Sequence, residues 1–124
     1  MAIKRFVVEM GQGADLHGLD YTKAACRAVD DVLRHASLTI FRSLGLDHDK
    51  MMVEVKIGAQ APEKVDLAAV MAKIPFGTVT ATAERGGLDV GGEHSSASET
   101  DVTVMCTAAV IVSYDMTGRT FVQA

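Results

Sequence analysis

Hydrophobic and polar positions change period several times along the chain. Ile3 to Met10 alternates, with Phe6, Val8 and Met10 on one side and Arg5, Val7 and Glu9 on the other. That pattern predicts a strand with one fully apolar face. The stretch Gly11 to Gly18, GQGADLHG, breaks the alternation and reads as a glycine-rich loop. From Thr22 the spacing turns helical: Ala25, Val29, Val32, Leu33 and Ala36 share one face, and Arg27, Asp30, Asp31 and Arg34 the opposite one. Asp20 is placed to cap this helix. Ser37, Ile40, Phe41 and Leu44 extend its stripe, and Gly45 is a natural stop.

A second strand follows in MMVEVKIGA, with Met51, Val53, Val55 and Ile57 on one face and Met52, Glu54 and Lys56 on the other. APEKVDLAAVMAKIP predicts a short helix with the stripe Leu67, Val70, Met71 and Ile74, ended by Pro75. GTVTATAER alternates again, with Val79, Ala81 and Ala83 together. GGLDVGGEHSSASE reads as a long polar loop. Val102 to Tyr114 is apolar on both faces, as expected of a central strand covered on both sides.

The expected fold is therefore α+β, in the order β-α-β-α-β-β. A four-stranded mixed sheet carries two helices on one face, and the first β-α-β unit forms a parallel pair with a right-handed crossover. Residues 1–115 make one domain and 116–124 a C-terminal tail. Two helices cover one side of such a sheet. The apolar residues of the other side predict a homo-oligomer packed sheet to sheet.

Composition narrows the function. The chain has 124 residues, a net charge of −4 and 48% hydrophobic residues. The acidic balance argues against nucleic acid or anionic membrane as a partner. The low aromatic content, 5% with no Trp, removes a base-stacking platform. No apolar run is long enough for a signal peptide or a membrane span. Cys26 and Cys106 lie in apolar patterns without a CxxC pair, so both read as buried free thiols of a cytoplasmic protein.

Candidate chemistry concentrates in three places. In GQGADLHG, Gly11, Gly13 and Gly18 are candidate ligand-binding positions whose backbone approaches an anion or carbonyl. Asp15 and His17 are candidate catalytic residues, with His17 as the titrating group and Asp15 orienting it. The glycine spacing rules out a dinucleotide fingerprint. Lys56, set between valine and isoleucine in mid-strand, is a candidate base or activator. Ser95 and Ser96, beside His94 and Glu93, are candidate nucleophiles. No metal-ligand spacing is present, and the residues name no cofactor.

The Gly-x-Gly-x-Asp-x-His-Gly pattern, followed by DYTKAACRAV and VEVKIGAQAPEKVD, resembles a small family of bacterial and plant-associated proteins of unknown function. The resemblance covers residues 5 to about 113 and implies a compact α+β domain, singling out Gly11, Gly13, Asp15, His17 and Gly18. VEVKIGAQAP and SSASETDVTVMCTAAVIV are also similar to the ring-opening amidohydrolases, the cyanuric acid hydrolase and barbiturase family. That likeness implies Lys56 as activator and Ser95 or Ser96 as nucleophile toward a cyclic amide. Those enzymes carry three copies of the domain and a Ser-Gly pair. This chain has one domain and no such pair, and a homotrimer would supply the missing copies. The sequence thus reads as a protein that binds or hydrolyses a small polar metabolite at its Asp/His loop near a subunit interface. The alternative is a non-catalytic metabolite-binding or structural homo-oligomer.

Overall fold

The computed structural model describes residues 2–36, 45–91 and 102–118. Among them lie β1 (Ile3–Asp15), α1 (Tyr21–His35), β2 (Met52–Ala59), α2 (Leu67–Met71), β3 (Thr78–Arg85), β4 (Leu88–Gly91) and β5 (Val102–Asp115). The fold is α+β, as its alternating and helical segments predict. One mixed sheet runs β1-β5-β2-β3, with β4 paired to β5. No described helix is long and apolar enough to cross a membrane.

β5 is the central strand because it is apolar on both faces. It pairs antiparallel with β1 on one side and with β2 and β4 on the other. This corrects the expected β1–β2 pair. The two strands run in the same direction, but β5 lies between them, and the parallel pair is β2–β3. The extra strand, β4, comes from what reads as loop. Leu88-Asp89-Val90 is short, yet its alternation suffices for pairing with β5.

The helices cover the side formed by Val53, Val55 and Ile57 of β2 and Val104, Cys106, Ala108, Val110 and Val112 of β5. α1 buries Ala24, Ala25, Ala28, Val29 and Val32 against it. Burying the two valines contributes roughly 1.5–3 kcal/mol each. Asp20 caps α1 by accepting from the Lys23 amide at 2.9 Å, and such a cap is worth about 1 kcal/mol. The predicted helix over 61–75 is split. A 3-10 turn at Pro62–Lys64 precedes α2, because the Asp66 side chain accepts from the Ala68 and Ala69 amides and starts a new helix. The expected extension of α1 through Ser37, Ile40, Phe41 and Leu44 lies outside the described residues.

β1 departs most from its sequence reading. Its apolar Val8 and Met10 are 49% and 64% exposed on the open side of the sheet. The covered side holds Gly11 and Gly13, where α1 comes so close that side chains have no room. A bulge between Arg5 and Val7 shifts the register early in the strand. The open side also carries Leu88 and Val90, 56% and 51% exposed, with Glu54, Lys56 and the row Thr78, Thr80 and Thr82. A second copy packed over it would meet a mixed surface rather than a wholly apolar one. At the end of β5, Met116 is buried and its amide donates to the Ala2 carbonyl at 2.8 Å.

Candidate functional site

The GQGADLHG stretch is mostly strand. β1 continues through Asp15, so only Leu16 to Asp20 make the connection to α1. Gly11 and Gly13 are strand residues in hydrogen-bonding register with Ala108 and Cys106. A Cβ on Gly13 would lie 2.4 Å from the Ala28 nitrogen, and one on Gly11 2.8 Å from Val32 Cγ2. Their shared property is lack of volume. Gly18 differs: a Cβ there would sit an ordinary 3.6 Å from Asp15 Oδ2, but its φ is +123°. The connection needs Gly18 for its backbone angle, and Leu19 beside it also has positive φ, at 52°.

Asp15 ends β1 on the covered side and is 5% exposed. Its Oδ2 accepts from the Asp20 amide at 3.1 Å. Its Oδ1 lies 3.9 Å from Lys23 Nζ and 3.8 Å from Arg27 Nη1, and both cations are about half exposed. At those distances the ion pairs contribute little. The carboxylate's main work is to close the connection onto the α1 cap. Arg27 also donates to the Ala14 carbonyl at 2.7 Å. His17 lies on the exposed connection.

The sheet register brings a second carboxylate to this end. Asp15 and Asp89 both pair with Val104, one from each side of β5. Tyr21, the first residue of α1, is 6% exposed and donates its hydroxyl to Asp89 Oδ2. Asp89 Oδ1 is buried and, among the described residues, has no hydrogen-bond partner. Below them the Cys106 thiol donates to the Tyr21 carbonyl at 3.6 Å. The hydrogen bond to Asp89, then burial, then the carboxylate's charge push Tyr21 up to about 12. Burial, then the charge of Asp89, pushes Cys106 up to about 11. Near neutral pH, Tyr21 is a locked neutral donor and Cys106 an unreactive thiol. An unpartnered buried carboxylate oxygen suits acceptance from a ligand's N–H or O–H.

Tyr21 makes stability depend on alkaline pH. The unfolded chain releases this proton near pH 10, and the folded protein holds it to about 12. The stabilisation is therefore whole below pH 10 and is lost as pH climbs toward 12. We expect one tyrosine to titrate late in the ultraviolet absorbance of the folded protein. Tyr21→Phe should remove that late step and weaken the alkaline loss of stability. A late step that survives the substitution would refute the assignment.

Lys56 does not join this cluster. It projects from the open side of β2, 49% exposed, with Nζ 3.8 Å from Glu54 Oε1. It pairs with Ala109 of β5, whereas Asp15 pairs with Val104. At ~3.4 Å per residue they are about 17 Å apart along β5, on opposite faces. Ser95, Ser96, His94 and Glu93 lie outside the described residues. Among the described residues no group of three His, Cys, Asp or Glu side chains could hold a metal ion. Cys26 is half-buried and Cys106 buried, both as free thiols. Tyr21 and Asp89 carry no motif. The available signal was one acid alternating with Leu88 and Val90, which marks a short strand with an inward carboxylate.

Comparison with known proteins agrees with this architecture. The crystal structure of an FtsZ-like protein of unknown function from Nostoc punctiforme PCC 73102 is similar, with 38% sequence identity and a TM-score of 0.81. The likeness covers 93% of this chain and 98% of that one. No curated protein matches the chain. Residues 5–112 match the model of the family described as conserved hypothetical protein (Lin0512_fam). The chain belongs to that family.

Proposed function

We propose that the protein binds a small polar molecule bearing a hydrogen-bond donor at Asp89 and the start of α1, at the end of the sheet that also carries Asp15. The observation that carries this reading is Asp89 Oδ1, buried and, among the described residues, unpartnered beside the Tyr21 hydroxyl. Native proteins rarely leave such an atom unsatisfied, because its desolvation costs about 1–3 kcal/mol. β4, which carries Asp89, is four residues long and pairs with β5. A strand this short has few backbone hydrogen bonds to break in admitting a ligand. His17 stands on the exposed connection beside Asp15, where it can hold the ligand's polar end.

Binding without turnover fits this geometry better than catalysis. Asp15 is engaged in closing the connection, Tyr21 is locked neutral, and Lys56 lies across the sheet. The test is native mass spectrometry of the purified protein, with thermal unfolding against small amines, amides and cyclic amides. A ligand at a hundredfold its Kd adds about 2.7 kcal/mol of stability. Asp89→Asn and His17→Ala should bind it at least about tenfold more weakly while keeping the wild-type circular dichroism. If nothing is carried and no compound stabilises the wild type, the proposal is wrong. Hydrolysis of a cyclic amide that is lost in Lys56→Ala would replace it with the amidohydrolase reading.

A further inference from the structure

Among the described residues the strand path ends in two long outer strands, β1 and β3, with the four-residue β4 paired to β5 beside it, and the chain treats the two long edges differently. An open edge presents unpaired N–H and C=O groups that invite another strand. β1 is guarded. It is bulged between Arg5 and Val7, its Gln12 amide donates to Asp31 Oδ2 at 3.1 Å, and its Ala14 carbonyl accepts from Arg27 at 2.7 Å. β3 has none of these devices. It runs eight residues in unbroken register with β2, without proline, and among the described residues no side chain bonds its backbone.

The outward groups of β3 can be assigned. Thr78 donates its amide to the Met51 carbonyl at 2.8 Å, and Gly86 donates to the Ala59 carbonyl at 3.1 Å. Residues of that parity face β2, so Val79, Ala81 and Ala83 direct their N–H and C=O away from the sheet. Their side chains, on the covered face, are only partly buried and pack against the edge of the core.

We propose that β3 pairs antiparallel with β3 of a second copy of this chain, about a two-fold axis at Ala81. Ala81 then opposes Ala81 of the second copy, and Val79 opposes Ala83. Each is a pair of outward-bonding residues, so both hydrogen bonds of each pair close. The partly buried apolar row runs on into its counterpart. On the open face Thr80 opposes Thr82, and Thr78 opposes Glu84, so no charge meets a like charge. Centring the axis on Thr82 instead would set Arg85 against Val79. The strand is thus self-complementary in bonding parity, face and charge, which singles out a second copy over an unrelated strand.

Sedimentation velocity over a range of concentrations tests this. The wild type should form a species of twice 13.1 kDa. Thr80→Lys with Thr82→Lys places like charges opposite each other twice, on exposed positions that the fold does not use. That variant should keep its circular dichroism while its dimer dissociation constant rises roughly tenfold or more. Thr80→Lys with Thr82→Glu sets opposite charges across the same axis and should restore the dimer. Ala81→Pro removes an amide that bonds nothing among the described residues and should give a folded monomer. A wild type that is monomeric throughout would overturn the proposal. So would association that the double-lysine variant leaves unchanged, or a double-lysine defect that the charge pair does not repair.

Discussion

Gly13→Val is expected to cost about 3 kcal/mol or more and to leave much of the protein unfolded under mild denaturant. The first added atom would sit 2.4 Å from the Ala28 nitrogen and 2.6 Å from the Arg27 carbonyl carbon and Cβ. Two of these are helix backbone and cannot rotate aside, so α1 must lift off β1. Overpacking of this kind costs about 1–3 kcal/mol, occasionally more. Lifting α1 also loosens Ala24, Ala28, Val29 and Val32, all wholly buried. The urea midpoint measures the loss against a total stability of about 5–15 kcal/mol for an ordinary domain. Gly18→Ala is the contrast. It meets no clash but must hold φ near +123°, a strain of about 1–3 kcal/mol. A Gly13→Val protein that folds normally but no longer binds ligand would mean that Gly13 serves the ligand rather than the helix.

Ile57→Ala should come next, at about 3–4 kcal/mol, within the range of about 2–5 kcal/mol typical of such truncations. Ile57 is wholly buried at the centre of the covered face. Its neighbours across the sheet, Ala83 and Ala108, are too short to fill the space it leaves. Thermal unfolding should fall by roughly 10–15 °C. Lys56→Ala, one residue earlier, should change stability by no more than about 0.5 kcal/mol, since its side chain projects from the open face. Equal losses at the two positions would contradict the assignment of faces.

The positions of the candidate site were legible in part. Asp15 and Gly18 stand out in the sequence as an acid and a glycine between strand and helix, and the structure gives both a part in closing that connection. The loop reading of Gly11 and Gly13 failed because glycine signals a turn and a close packing contact equally well. Only the helix lying over them tells the two apart. Asp89 went unread because a four-residue strand is too short for its period to rise above loop composition. Its importance comes from pairing with Val104, far from Asp15 in sequence but sharing its partner.

Local chemistry in the chain determined the α+β class, the spans of β2, β3 and β5, the Asp20 cap and the helical face of Val29 and Val32. Each rests on side-chain period or on a hydrogen bond between near neighbours, which short stretches carry by themselves. The tertiary structure alone decided that β5 separates β1 from β2, that Val8 and Met10 face outward, and that Asp15 and Asp89 flank Val104 from either side of β5. Those outcomes depend on hydrogen bonds and volumes shared between distant segments. An alternating strand reads the same whichever partner it takes and whichever of its faces a helix covers.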